Sequence, residues 1–219
     1  MDAVATDGKR IGCMTERLVR APFHARIKDW VGVGALVAGV AFTAALDRDT
    51  KGDAASWDQP WMNTADDIGH TFQQTGLFFA TAGAFYVGGY AAHQPKIRRI
   101  GPELIVAFAV SQAGTQVMKH LAGRARPDQG DGPWHFVGPT MDDQFHSLWS
   151  GDVTKAFVMA SVLSAEAKHP AVTILLYGLA SATAFQRIHA DRHWLSDVVS
   201  AAVWSTAVGI GTVKIGNRK

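Results

Sequence analysis

Six stretches without a single charged residue recur along this chain, at residues 30–46, 71–92, 104–118, 156–165, 171–184 and 198–213, and each is rich in apolar side chains. Such runs admit few folds, because each must bury its side chains against other helices or in lipid. A helix needs about 20 apolar residues to cross a bilayer. Several runs approach that length, and the fourth reaches toward it by borrowing flanking residues such as Val153 and Thr154. The pattern predicts an all-α fold with six helices. A soluble protein with six buried helices fits the same pattern, since the runs are short and rich in Ala and Gly.

Charge placement separates the two. If all six runs cross, one side holds the N-terminus, residues 94–99, residues 166–170 and the C-terminus. That side carries Lys9, Arg10, Arg17, Arg20, Arg26, Lys28, Lys96, Arg98, Arg99, Lys168, Lys214, Arg218 and Lys219. The other side has a loop with Asp47, Asp49, Asp53, Asp58, Asp66 and Asp67, and fewer cations. Lys and Arg are in excess in the cytoplasmic loops of membrane proteins. The asymmetry therefore predicts a six-transmembrane-helix bundle with cytoplasmic termini, a multi-pass protein of the inner (plasma) membrane. Trp57, Trp61, Trp134 and Trp149 stand where amphipathic rings would meet the headgroups, and equally where packing tryptophans would stand. Gly32, Gly34, Gly39, Gly83, Gly88 and Gly89 suit close helix approach in lipid.

With 219 residues and no Pro-, Gly- or Ser-rich linker, the chain reads as one domain, residues 30–219, behind a basic cytoplasmic segment, residues 1–29. That segment lacks a signal peptide's apolar run, so a later segment must drive insertion. A net charge of +2, without a basic stripe interleaved with aromatics, argues against a nucleic-acid partner. The single cysteine, Cys13, has no internal disulfide partner and no Cys or His neighbour at metal-ligand spacing.

Three polar clusters stand at the ends of apolar runs: residues 119–127, 150–152 and 187–197. In the six-span topology all three fall on the non-cytoplasmic side, as a site assembled at helix ends on one face requires. Lys119 and Arg126 flank Gly123, so a turn there folds both cations toward one point, and Arg187 adds a third. Guanidinium forks and a compact ammonium suit the oxygens of a phosphate. Gly151, at the start of the fourth helix, leaves a backbone N–H free for close approach where the helix dipole also favours an anion. Taken singly, each cation is equally a snorkelling residue or a headgroup contact.

His193 and Asp197 are four apart, which predicts one face of the sixth helix. A carboxylate so placed fixes an imidazole tautomer and stabilises the cation formed when the other nitrogen attacks phosphorus. Zinc is the competing reading, since His189 and His193 are also four apart. A metalloprotease helix would need Glu at position 190, which is Ala190, and no third ligand is evident.

These residues resemble the type 2 phosphatidic acid phosphatase superfamily, which includes membrane lipid phosphatases, bacterial acid phosphatases and vanadium haloperoxidases. Its signature has three parts: Lys, six residues, Arg-Pro; then Pro-Ser-Gly-His; then Ser-Arg, five residues, His, three residues, Asp. Lys119 through Pro127 matches the first part in full, and Arg187, His193 and Asp197 match the third at the right spacing. The resemblance implies that Lys119, Arg126, Arg187, Ser150 and the Gly151 amide bind phosphate, that His193 attacks phosphorus and that Asp197 orients it. It further implies that no metal or other cofactor is needed, the cations stabilising the developing charge.

Asp152 occupies the place of the His that protonates the leaving group, Trp149 that of the Pro before Ser150, and Gln186 that of the Ser before Arg187. The acid is then Asp152 itself, or His146, His189 or His120, or the chain is impaired in turnover. The expected function is hydrolysis of a lipid phosphate or diphosphate through a phosphohistidine, at a site facing the periplasm or exterior, with membrane lipids around it. The rivals are a membrane homologue that binds phosphate without turnover, and a vanadate-dependent haloperoxidase with His193 on vanadium, against which the short chain and multiple spans argue.

Overall fold

The computed structural model describes residues 3–21, 27–54 and 59–217. Arg26, Trp57, Asp58, Arg218 and Lys219, which enter the charge and tryptophan arguments, lie outside the described residues, as do the side chains of Lys28 and Asp53. Within them the regular elements are helices: α1 (Ala3–Arg20), α2 (Ile27–Ala45), α3 (Asp47–Ala54), α4 (Pro60–Phe72), α5 (Thr75–Ala91), α6 (Pro95–Arg98), α7 (Ile100–Ala122), α8 (Gly151–Ala167), α9 (Pro170–His189) and α10 (Leu195–Gly216). The six apolar runs fall on α2, α5, α7, α8, α9 and α10. The expected count of six is exceeded because polar and amphipathic stretches coil as well, giving α1, α3, α4 and α6. Pro60, Pro95 and Pro170 each open a helix, where the missing N–H has no intrahelical partner to lose.

The helix α10 lies at the centre, against α7, α8, α9, α1 and α2. Its packing is close because its contact residues are small. A Cβ at Gly209 would collide with the Ser161 hydroxyl of α8, so any larger residue would have to push that hydroxyl off the Val158 carbonyl. The core gathers Phe78 and Ala82 from α5, Leu104 and Ala107 from α7, Ala156 and Met159 from α8, and Val208 from α10. Gly32 lies outside the described side chains; among the other glycines singled out from the sequence, only Gly89 stands at a close approach, against the Arg98 backbone. Gly34, Gly39, Gly83 and Gly88 face open space.

Both α9 and α10 are long and apolar enough to cross a membrane by length and composition. Their surroundings differ: 44% of the apolar window of α10 is buried, but only 11% of that of α9. The outer surface is correspondingly greasy, with Phe42, Val87, Val117, Ile174 and Leu175 exposed. Soluble monomers seldom show an apolar surface of this kind spread over several helices.

The bundle has two polar ends. At one, Asp7 meets Arg98, Arg10 meets Glu103 and the Gly216 carbonyl, Arg99 meets Glu166, and Asn217 donates to Glu166. This end joins the N-terminal helix, α6, the α8–α9 turn and the end of α10, the four segments assigned to one side from charge. At the other end stand the α2–α3 junction, the loop from α7 to α8 and the α9–α10 turn.

Candidate active site

The α7 helix stops at the edge of the candidate site. Gly123 is its cap in left-handed geometry (φ +58°), donating to the Lys119 carbonyl at 3.1 Å. A Cβ there would also run into the Gly138 carbonyl, so the turn that returns Arg126 toward Lys119 requires glycine. On α8, Ser150 is the N-cap: its buried hydroxyl accepts from the Val153 N–H at 3.4 Å, which spends the side chain on the helix start. Gly151 follows as the first helical residue.

Lys119, Arg126, Gly151, Asp152, Arg187 and His193 line one polar pocket of about 470 Å³. Seven of the eight site residues named from sequence fall in it or beside it: six line it, and Asp197 stands behind His193. Ser150 does not line it. Gln112, Asp143, Lys155 and Arg192 complete the wall. Two of these were within reach of sequence reasoning. Lys155 is one turn on from Asp152 on the same helix face, and Arg192 directly precedes His193. Asp143 and Gln112 carry no sequence signal.

His193 is not on the last helix, as its spacing to Asp197 predicted, but in the turn two residues before α10. Its Nδ1 donates to the Ser147 carbonyl at 2.7 Å, while the distance from Nδ1 to Asp197 Oδ2 is 4.0 Å. That is beyond a hydrogen bond, so Ser147 holds the ring directly. Asp197 reaches it at one remove, its Oδ2 accepting from the Ser147 hydroxyl at 2.5 Å and from the Trp194 N–H at 3.0 Å. A carbonyl can only accept, so the proton sits on Nδ1 and the lone pair on Nε2. Burial holds the His193 pKa well below its ordinary 6.5, and Lys119 lowers it further; Arg126 and Arg187 act in the same direction, against the Ser147 bond.

Behind Asp197 lies a charge cluster that sequence reasoning missed. Arg124 donates to Asp197 Oδ1 at 2.5 Å, to Asp47 Oδ2 at 2.7 Å and to the Ser196 hydroxyl at 2.8 Å, all buried. Asp47, read from sequence as a member of an acidic loop on the non-cytoplasmic side, is only 1% exposed. It ties the α2–α3 junction to the first turn of α10 by also accepting from the Ser196 N–H at 2.8 Å. Arg124 sits inside the first motif, two residues before Arg126, which was its available signal.

Asp152 accepts from Arg187 at 3.0 Å and pairs with Lys155 at 3.3 Å. The Gln73 amide, oriented to satisfy both its ends, donates to Asp152 at 3.3 Å and accepts from Arg187 at 3.2 Å. Gln186 accepts from the Arg187 Nε at 2.6 Å. Lys119 donates to the His146 carbonyl at 2.5 Å, and Arg126 pairs with Asp143 at 2.8 Å. The alternative proton donors stand elsewhere. His189 meets Asp66 at 2.6 Å, His146 faces the Thr140 carbonyl at 3.1 Å, and the His120 ring lies tilted against that of His146, centroids 4.4 Å apart; none of the three lines the pocket. Among the described residues no group of three or more His, Cys, Asp or Glu side chains is gathered to hold a metal ion.

Residues 102–219 match the family model of the PAP2 superfamily. No curated protein matches the sequence. Two solved structures share the fold. The Aquifex aeolicus LpxE crystal structure superposes with a TM-score of 0.59 at 19% identity, over 77% of this chain and 95% of that one. A transmembrane PAP2-type phosphatidylglycerolphosphate phosphatase from Bacillus subtilis does so with a TM-score of 0.58 at 19% identity, over 83% of this chain and 92% of that one.

Proposed function

The chain belongs to the PAP2 superfamily, and from that premise we propose that it is a multi-pass membrane phosphatase acting on a lipid phosphate or diphosphate, with its site at the non-cytoplasmic boundary. The observation that carries this reading is the position of His193: its Nδ1 proton is held by the Ser147 carbonyl in a pocket walled by Lys119, Arg126 and Arg187. An imidazole so held presents Nε2 as a nucleophile among cations that suit phosphate oxygens.

In this mechanism Nε2 attacks phosphorus and the P–O ester bond breaks. The leaving oxygen takes a proton from Asp152, the carboxyl nearest the family's acid position. Water then attacks phosphorus, its proton passing to the Asp152 carboxylate as the P–N bond breaks, which releases phosphate and restores both His193 and the acid. Lys119, Arg126, Arg187 and the Gly151 N–H stabilise the charge on the equatorial oxygens, a role that needs no metal ion. The apolar outer face of α9 and the phosphatidylglycerolphosphate phosphatase of the same fold support a substrate whose tail stays in lipid while its head enters the pocket.

A second reading, a phosphate-binding homologue of weak turnover, is favoured by one contact: Asp152 already holds Arg187 and Lys155, so an entering phosphate must displace it. Phosphate release from a panel of lipid phosphates and a soluble aryl phosphate in detergent tests both, with acid-labile, base-stable labelled phosphoenzyme as the mark of His193. Phosphate binding without turnover on any substrate would select the second reading.

A further inference from the structure

A groove of about 1000 Å³ runs between α1 and α10, beside the polar end that joins both terminal helices. No step proposed at His193 uses it. Its floor is one face of α10, where Trp204, Ala207, Val208, Gly211, Lys214 and Ile215 recur at intervals of three and four. From Trp204 to Lys214 the helix rises about 15 Å. The track narrows at Gly211, where a Cβ would lie in van der Waals contact with Leu18 of α1 at 3.4 Å, and glycine leaves the most room there.

The two ends of the groove differ in kind. Val110 of α7 and Trp204 make one end apolar, whereas Arg17, Arg20 and Lys214 stand at the other. Arg20 pairs with Glu16 at 2.9 Å. Arg17 and Lys214 are exposed, and among the described residues no carboxylate pairs with either. A free anion would satisfy the cations and leave the apolar track empty. A neutral lipid would fill the track and leave the cations without a counter-charge. One molecule class satisfies both, a lipid with an anionic headgroup.

We propose that this groove binds an anionic phospholipid, its phosphate between Arg17 and Lys214 and an acyl chain along α10 toward Trp204. The inference rests on the reading of the chain as a membrane protein, not on the chemistry at His193. The full chain, delipidated in neutral detergent, is offered phosphatidylglycerol or phosphatidylcholine with the same acyl chains, and retained lipid is counted by native mass spectrometry. Phosphatidylglycerol should be retained about thirtyfold more strongly, the worth of two cations near an anionic headgroup. The double variant Arg17→Gln, Lys214→Gln should erase that preference, and Ala207→Trp, which fills the track, should lower retention of both lipids. Soluble aryl phosphate turnover should be unchanged in both variants, so a failure of the phosphatase reading is seen separately. Equal retention of the two lipids, a preference untouched by the double variant, or displacement of the lipid by inorganic phosphate would each overturn the proposal.

Discussion

The reactive state of His193 is set by where its proton is held. Nδ1 keeps it against the Ser147 carbonyl, and burial followed by Lys119 holds the pKa well below 6.5. In the proposed mechanism the neutral ring is the nucleophile, and a lowered pKa keeps it neutral to lower pH. The acid limb of kcat/KM on a soluble aryl phosphate should therefore lie below pH 6.5; a limb above that value would contradict this electrostatic reading. His193→Ala should abolish turnover and leave phosphate binding in place, since the cations remain. Asp152 is the second residue on which the proposal turns, because it joins two cations and is assigned the acid role in the proposed mechanism. Asp152→Asn removes both functions: it should lower KM by releasing Arg187 and Lys155, and slow substrates with poor leaving groups by ~10²–10⁴-fold. An activated aryl phosphate, whose leaving oxygen hardly needs a proton, should keep its kcat. Asp152→His should raise the rate at neutral pH. Equal loss on both substrate types in Asp152→Asn would remove Asp152 from the acid role.

Among the elements, the first turn of α10 is held by charges from two other parts of the chain. Arg124 bridges Asp197 on α10 and Asp47 on α3, so Arg124→Met leaves two buried carboxylates uncompensated. Denaturant unfolding should show a loss of roughly 3–5 kcal/mol. Arg124→Lys should recover little, because one ammonium cannot fork to both partners. The end of α7 makes a separate demand: Gly123→Ala places a side chain in left-handed geometry at a cost of roughly 1–2 kcal/mol before its clash with Gly138. Since that turn aims Arg126, KM for phosphate esters should rise along with the loss of stability. Unchanged KM in a folded Gly123→Ala protein would detach the turn from the pocket.

Across the whole molecule, the two polar ends define a direction. In a Cys13→Ser background, cysteines at exposed Asp49 and exposed Lys96 should report opposite sides, the first reacting with an impermeant reagent from outside and the second not. The native Cys13, exposed on α1, should be shielded with the second. The reverse pattern would place the site in the cytoplasm. The sequence by itself determined the all-α class, because uncharged apolar runs of this length have few other outcomes. It also carried the order and spacing of the motifs whose residues Lys119, Arg126, Arg187 and His193 line one pocket, because those motifs stand at or just beyond the ends of apolar runs, which become helix ends on one face of the bundle. Asp152 as a departure from the family pattern was equally readable there. Only the tertiary structure decided what holds those residues. The Ser147 carbonyl on His193, the Arg124 bridge between Asp47 and Asp197, and the capture of Arg187 by Asp152 join residues 35 to 77 positions apart. Contacts at such separations follow from how helices pack and where loops return, and local periodicity carries no record of either. The extra helices escaped for a related reason: α1, α3 and α4 lack an apolar run, and α1 and α4 are seated by their neighbours, α1 on α7 and α10, α4 on α9, more than by their own composition.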